Sequence, residues 1–129
     1  MQNEWRSAAK DGDVSWIERL ITEGHAVDGR DRYGQTALML ASMHGHKAIV
    51  DTLIANDADL DVTAKYGLSA LMLAIVNHHP DIAASLIEAG ANTKLRGTGA
   101  PGFAGRTAAD FAEEREFNAL VETIAGLDG

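Results

Sequence analysis

Apolar residues along this chain fall into short clusters, and the clusters recur at one interval. Trp5, Leu38 and Leu71 stand 33 positions apart, as do Trp16, Ile49 and Ile82. Leu20, Leu53 and Leu86 form a third such series, and Ile21, Ile54 and Ile87 a fourth. The clearest copy is Gly34-Gln-Thr-Ala-Leu-Met-Leu-Ala41, rewritten as Gly67-Leu-Ser-Ala-Leu-Met-Leu-Ala74 with six of eight residues identical. A weaker copy, Gly105-Arg-Thr-Ala-Ala-Asp-Phe-Ala112, follows 38 residues later. Self-similarity at a fixed period of this length marks stacked supersecondary units, each too small to bury its apolar face alone.

Within one period the pattern predicts a turn and two short helices. Asp31-Arg-Tyr-Gly34 reads as the turn. Thr36 caps a helix through Ala37–Met43, with Leu38, Leu40 and Ala41 as one apolar stripe, and Gly45 breaks it. A second helix from about Lys47 to Ala55 carries Ile49, Val50, Leu53 and Ile54, and Asn56-Asp-Ala-Asp returns the chain. In the next copy Ser69 is the cap, and Pro80 falls in the first turn of the second helix, where a missing N–H costs little. Helices of two turns are marginal alone in water, so the stack must stabilise them. The reading is a single all-α domain over 1–129: a capping unit at 1–30, repeats at 31–63 and 64–95, and a C-terminal capping unit at 96–125. Both tryptophans take core positions in the first unit. The fourth unit is delayed by five residues, with an inserted loop within Arg96–Phe103.

Composition narrows the function. Only 5% of residues are aromatic, so the core is built from Leu, Ile, Val, Met and Ala. A net charge of −8 argues against binding nucleic acid through its phosphates, which needs Lys and Arg. The absence of cysteine excludes disulfides and thiolate chemistry and fits a reducing cytoplasm. The longest apolar run, Ala70–Val76, is far shorter than the roughly 18 residues of a membrane span. The start shows no apolar run of signal-peptide length, so a soluble cytoplasmic chain is expected.

No arrangement of reactive residues survives inspection. Gly97-x-Gly99-x-x-Gly102 superficially matches a dinucleotide fingerprint, but it follows a helical unit rather than a strand and contains Pro101. The five histidines match no zinc spacing. Ser69 lacks the second glycine of a nucleophile elbow, and Glu113 and Glu114 read as a solvated cap. The expectation is no catalytic residue, no cofactor and no metal. The tyrosines are more informative. Tyr33 and Tyr66, the chain's only two, share one repeat position, each after a basic residue. Five of the eleven basic residues, Arg30, Arg32, Lys65, Arg96 and Arg106, fall on or beside these turns. Tyr and Arg recur at interface hot spots, although a turn tyrosine can also simply cover a neighbouring helix end. A basic strip on an acidic protein favours an acidic partner segment.

The repeated residues resemble the ankyrin repeat, whose unit has this same period. The second unit matches at Asp31, Gly34, Thr36, Leu38, Ala41, Gly45, His46, Ile49, Val50, Leu53, Ala58 and Asp59, and the third at Gly67, Leu71, Ala74, His79, Ile82, Leu86, Gly90 and Ala91. It departs in the Thr-Pro-Leu-His element, where Ala replaces Pro and Met39, Met72 and Asp110 replace His. The resemblance implies an ankyrin-type α-solenoid of stacked helix-turn-helix units with short fingers. It also implies a non-enzymatic monomer that binds another protein through a concave groove, as an adaptor, a stoichiometric inhibitor or an immunity protein. Carried over by position, the contact residues are Arg32, Tyr33, Gln35, Met43 and His44 in the second unit and Lys65, Tyr66, Leu68, Val76 and Asn77 in the third. Arg96, Phe103 and Arg106 border the groove in the fourth, with Phe103 either contacting the partner or tucking its loop down. The alternative is a ligand-binding protein or enzyme using the Gly97–Phe103 loop.

Overall fold

Four antiparallel helix pairs follow one another in a computed structural model that describes residues 3–127. The ends of the 1–129 domain, residues 1–2 and 128–129, lie outside the described residues. The pairs are α1 (Asn3–Asp11) with α2 (Val14–Thr22), α3 (Ala37–His44) with α4 (Lys47–Ala55), α5 (Ala70–Val76) with α6 (Pro80–Glu88), and α7 (Ala108–Glu114) with α8 (Asn118–Leu127). Helices α1, α3, α5 and α7 pack in one row, and α2, α4, α6 and α8 form a second row behind it. No strand occurs among the described residues.

Local chemistry sets the helix starts. The Thr or Ser of the repeated stretch caps three successive first helices: Thr36 Oγ1 accepts from Met39 N, Ser69 Oγ from Met72 N, and Thr107 Oγ1 from Asp110 N. Asp110 returns a bond from Thr107 N at 3.0 Å and completes a capping box. Asp110 therefore has a local structural role in place of the family's histidine. Met39 and Met72, at the same position in the inner units, are buried.

The apolar residues of α3 and α5 are not confined to a stripe. Ala37–Ser42 and Ala70–Ile75 are buried without interruption. Each helix sits between two neighbours in its row with a second-row helix behind, so every face is covered, as an all-round apolar helix requires. In the first unit Trp5 is in the core but Trp16 is only half-buried, because α2 has a second-row neighbour on one side alone.

Histidines tie the second and third pairs each to the one before. His46 Nε2 donates to Lys10 O at 2.8 Å, and its ring lies so close to Gly12 that a Cβ there would sit 2.7 Å from Nδ1. His79 packs in the same way on Gly45, which ends α3 in the left-handed conformation. Glycine is required at both places, for its positive φ and for this approach. On the opposite edge Asp28 Oδ1 accepts from Asp59 N and Asp61 Oδ1 from Asn92 N, each at 2.8 Å.

Candidate functional site: the fingers and the groove

Each finger closes with one backbone bond at an equivalent place: Asp31 N to Gln35 O, Ala64 N to Leu68 O, and Gly97 N to Arg106 O. The last spans nine positions where the others span four, which locates the insertion between Gly97 and Arg106. The finger before α3 is braced by Asp31. Its Oδ1 accepts from Tyr33 N and Gln35 N at 2.9 Å each, and its Oδ2 from Arg6 Nε at 3.2 Å. The Tyr33 ring projects outward, 55% exposed, with the Arg32 guanidinium 5.1 Å and the Arg6 guanidinium 5.6 Å from its centroid. Aromatic and cation thus form one amphipathic surface.

The next finger is built differently. Tyr66 sits at φ +64° in a single 3-10 turn, Lys65–Gly67, with Lys65 Nζ 4.9 Å from its ring centroid. The inserted loop folds over it. Thr98 N donates to Tyr66 O at 2.7 Å, and Phe103 stacks on the Tyr66 ring at 5.3 Å and meets Phe111 edge-on at 6.1 Å. Tyr66 is therefore half-buried, and Phe103 is the anchor that tucks the loop down.

Gly97 and Gly99 of that loop serve this packing. A Cβ on Gly97 would lie 2.2 Å from Phe103 O, and one on Gly99 would lie 2.9 Å from Tyr66 Cδ1. The amides of Gly97, Thr98, Phe103, Ala104 and Gly105 all bond to carbonyls of the protein, so they do not point together at a phosphate. Among the described residues no group of His, Asp and Glu comes together to hold a metal ion.

The remaining sequence-predicted residues divide clearly. His44 and Asn77 are exposed at the ends of α3 and α5, where the Asn77 side chain donates to Leu73 O at 2.8 Å. Met43, Val76 and Gln35 are half-buried. Leu68 is a correction: it is only 7% exposed and belongs to the core, since an apolar side chain beside a helix start turns inward. Arg96 is held to Gly105 O at 2.7 Å, and Arg106 pairs with Glu114, so both brace the fourth finger.

Two residues missed by the sequence reading join the site. Arg6 and Lys10 of α1 lie one helical turn apart on the face that meets the first finger. Their effect reaches His44. Desolvation of its ring, and then the nearby His46, Lys10 and Arg6, hold its pKa below the ordinary value of 6.5, with Asp11 opposing. The signal was available, because Lys10 stands one period before Met43, already chosen as a groove position.

Two rows of short helices with fingers projecting along one edge define a repeat protein. The chain belongs to the ankyrin-repeat family: the family description "Ankyrin repeats (3 copies)" matches residues 6–96. It is 41% identical over 51 residues to osteoclast-stimulating factor 1 of Gallus gallus, which is 40% of this chain and 25% of that protein. The Sus scrofa counterpart gives the same identity and covers 24% of that protein, so the match spans about a quarter of these curated relatives. Among solved structures, a chain from the complex of a Bdellovibrio bacteriovorus predatory endopeptidase with an immunity protein superposes with a TM-score of 0.78 at 30% identity, covering 86% of this chain and 56% of that one. Ankyrin repeats mediate protein–protein interaction, and this all-helical array is a module of that kind. Among the described residues no helix is long and apolar enough to cross a membrane.

Proposed function

We propose that this chain is a non-enzymatic, monomeric, cytoplasmic module that docks an acidic segment of a partner protein against its fingers and groove. It acts as a stoichiometric inhibitor of the immunity type. The observation that carries this reading is Tyr33, held out at 55% exposure between two guanidiniums on a finger braced by Asp31. A rigid aromatic flanked by cations binds with little ordering cost, and acidic residues complement it. The resemblance to a chain solved with an endopeptidase and an immunity protein supports occlusion of an enzyme as the mode of action. The lengthened fourth finger is better explained as a brace than as a ligand loop, because its aromatic side chain and its amides are used internally.

The test is affinity capture of a native partner, followed by titration of any captured enzyme. Tyr33→Ala is expected to weaken the complex about ten-fold or more, the effect of losing a moderate hot spot. The enzyme's activity is expected to disappear at one equivalent of the wild-type chain. Undiminished capture by Tyr33→Ala with Arg32→Ala, or a complexed enzyme that keeps full activity, would overturn the reading.

A further inference from the structure

The inserted loop lies on a copy of the finger that projects freely one unit earlier. Lys65-Tyr66 repeats Arg32-Tyr33 at the same place in the period. Both turns close alike, Gly34 N donating to Asp31 O and Gly67 N to Ala64 O at 3.0 Å each. In both a cation faces the ring, the Arg32 guanidinium 5.1 Å from the Tyr33 centroid and Lys65 Nζ 4.9 Å from that of Tyr66. The difference is the cover. Tyr33 is 55% exposed, whereas Phe103 stacks on the Tyr66 ring and the Tyr66 carbonyl accepts from Thr98 N.

The loop also closes on itself. Gly97 N donates to Arg106 O, Gly105 N to Gly97 O, and both Phe103 N and Ala104 N to Ala100 O. What ties it to Tyr66 is the Thr98 bond, the Phe103 stack and the close approach of Gly99 to the ring. Thr98, Gly99, Pro101, Gly102 and Ala104 are exposed, so Phe103 is the loop's aromatic anchor. Beneath it Tyr66 sits at φ +64°, a conformation that residues with a side chain rarely take and that persists where neighbours impose it.

We infer that Lys65 and Tyr66 form a second docking finger, which the loop occupies in the free chain and which a partner takes by placing an aromatic side chain where Phe103 lies. The inference rests on the reading that an acidic partner segment docks at Tyr33, and it adds to that segment an aromatic residue at a set distance. The loop is the internal example of such an occupant, with one ring on the tyrosine and one amide on its carbonyl. Neighbouring helices in a row stand roughly 10 Å apart, so an extended segment passes from Tyr33 to Tyr66 in about three residues. Binding at this finger is weakened in proportion to the time the loop stays closed.

The test uses the full chain and a fluorescein-labelled peptide, Asp-Glu-Ser-Ser-Phe-Glu, read by anisotropy at low salt. Gly67→Cys with Thr98→Cys ties the loop down. A Cβ on Gly67 would lie 3.3 Å from both Thr98 Cγ2 and Thr98 Oγ1, within disulfide reach, and the chain has no cysteine of its own. Strain from replacing Gly67 is common to both redox states, so comparing them isolates the loop. Reduction is expected to tighten binding about ten-fold. Phe103→Ala, which leaves Gly67 in place, is expected to bind about three-fold or more tighter than wild type, and Tyr66→Ala in that background to remove the gain. A peptide with Ala in place of Phe is expected to show neither effect. Equal binding in the two redox states, a gain that survives Tyr66→Ala, or the same gains with the Ala peptide would overturn the proposal. Where the disulfide does not form, Phe103→Ala against wild type decides alone, and no gain there overturns it. If the second finger fails while Tyr33→Ala still weakens the native complex, the first finger and the binding module stand.

Discussion

Ser42 is completely buried in α3, yet its Oγ has no hydrogen-bond partner. A hydroxyl taken out of water without a partner costs about 1–3 kcal/mol, and serine is a poorer helix former than alanine. Ser42→Ala is therefore expected to stabilise the protein by about 1 kcal/mol, seen as a higher urea midpoint. The corresponding positions hold Ala9 and Ile75, so the site already accepts apolar side chains elsewhere in the array. His44 gives a pH dependence of definite sign. Its pKa is lowered on folding, so the unfolded chain binds the proton more readily. The stability linked to this group is intact above 6.5 and is lost as pH falls from there towards the folded-state value. Between about pH 7.5 and about pH 5.5 the wild type should lose more stability than His44→Gln in parallel urea melts. Equal losses would remove His44 from the account.

The inserted loop is the one element with no counterpart in the other repeats. Its hold on the array is a short aromatic series, Tyr66 to Phe103 to Phe111, with the Arg115 guanidinium 5.9 Å from the Phe111 centroid. Phe103→Ala removes the middle member. The expected loss is about 1–3 kcal/mol, less than for a fully buried phenylalanine because Phe103 is only half-buried. Hydrogen exchange should show the loop leaving its seat, with the Thr98 amide losing the protection of its bond to Tyr66 O. A variant that keeps that protection would mean the backbone alone holds the loop. The glycines and Phe103 were visible in the sequence, but what they pack on was not. Gly97-x-Gly99-x-x-Gly102 resembles a dinucleotide fingerprint as text, but Gly97 is set by its close approach to Phe103 and Gly99 by its approach to Tyr66, while Gly102 faces open space.

Stability in the array comes from neighbours, since α1–α3–α5–α7 and α2–α4–α6–α8 contact in sequence and a helix of two turns holds poorly by itself. Leu71 lies 1% exposed in α5, an interior helix with a neighbour on both sides. Leu71→Ala is expected to cost about 2–5 kcal/mol in denaturant melts, and a loss under about 0.5 kcal/mol would contradict the stacked core. Charge is arranged on the same whole-chain basis. Although the net charge is −8, Arg6 and Arg32 flank Tyr33 on one finger and Lys65 lies over Tyr66 on the next, so the overall sign does not describe the surface of the fingers.

The repeat period, the Thr and Ser caps, the limits of α4 and the Gly–His contacts all follow from residues close in the chain or one period apart. Such features are legible as text because each copy reports on the others. Arg32, Tyr33 and Lys65 were found in the same way, from a shared position in the repeat. What required the folded molecule is which neighbour each position meets. The loop from Gly97 to Arg106 covers Tyr66, which leaves Tyr33 as the exposed tyrosine finger. Leu68 turns into the core, and Arg6 reaches across from α1 to Asp31 and Tyr33. The physical reason is that periodicity determines which residues share a position, whereas burial and pairing depend on what the neighbouring unit places against that position.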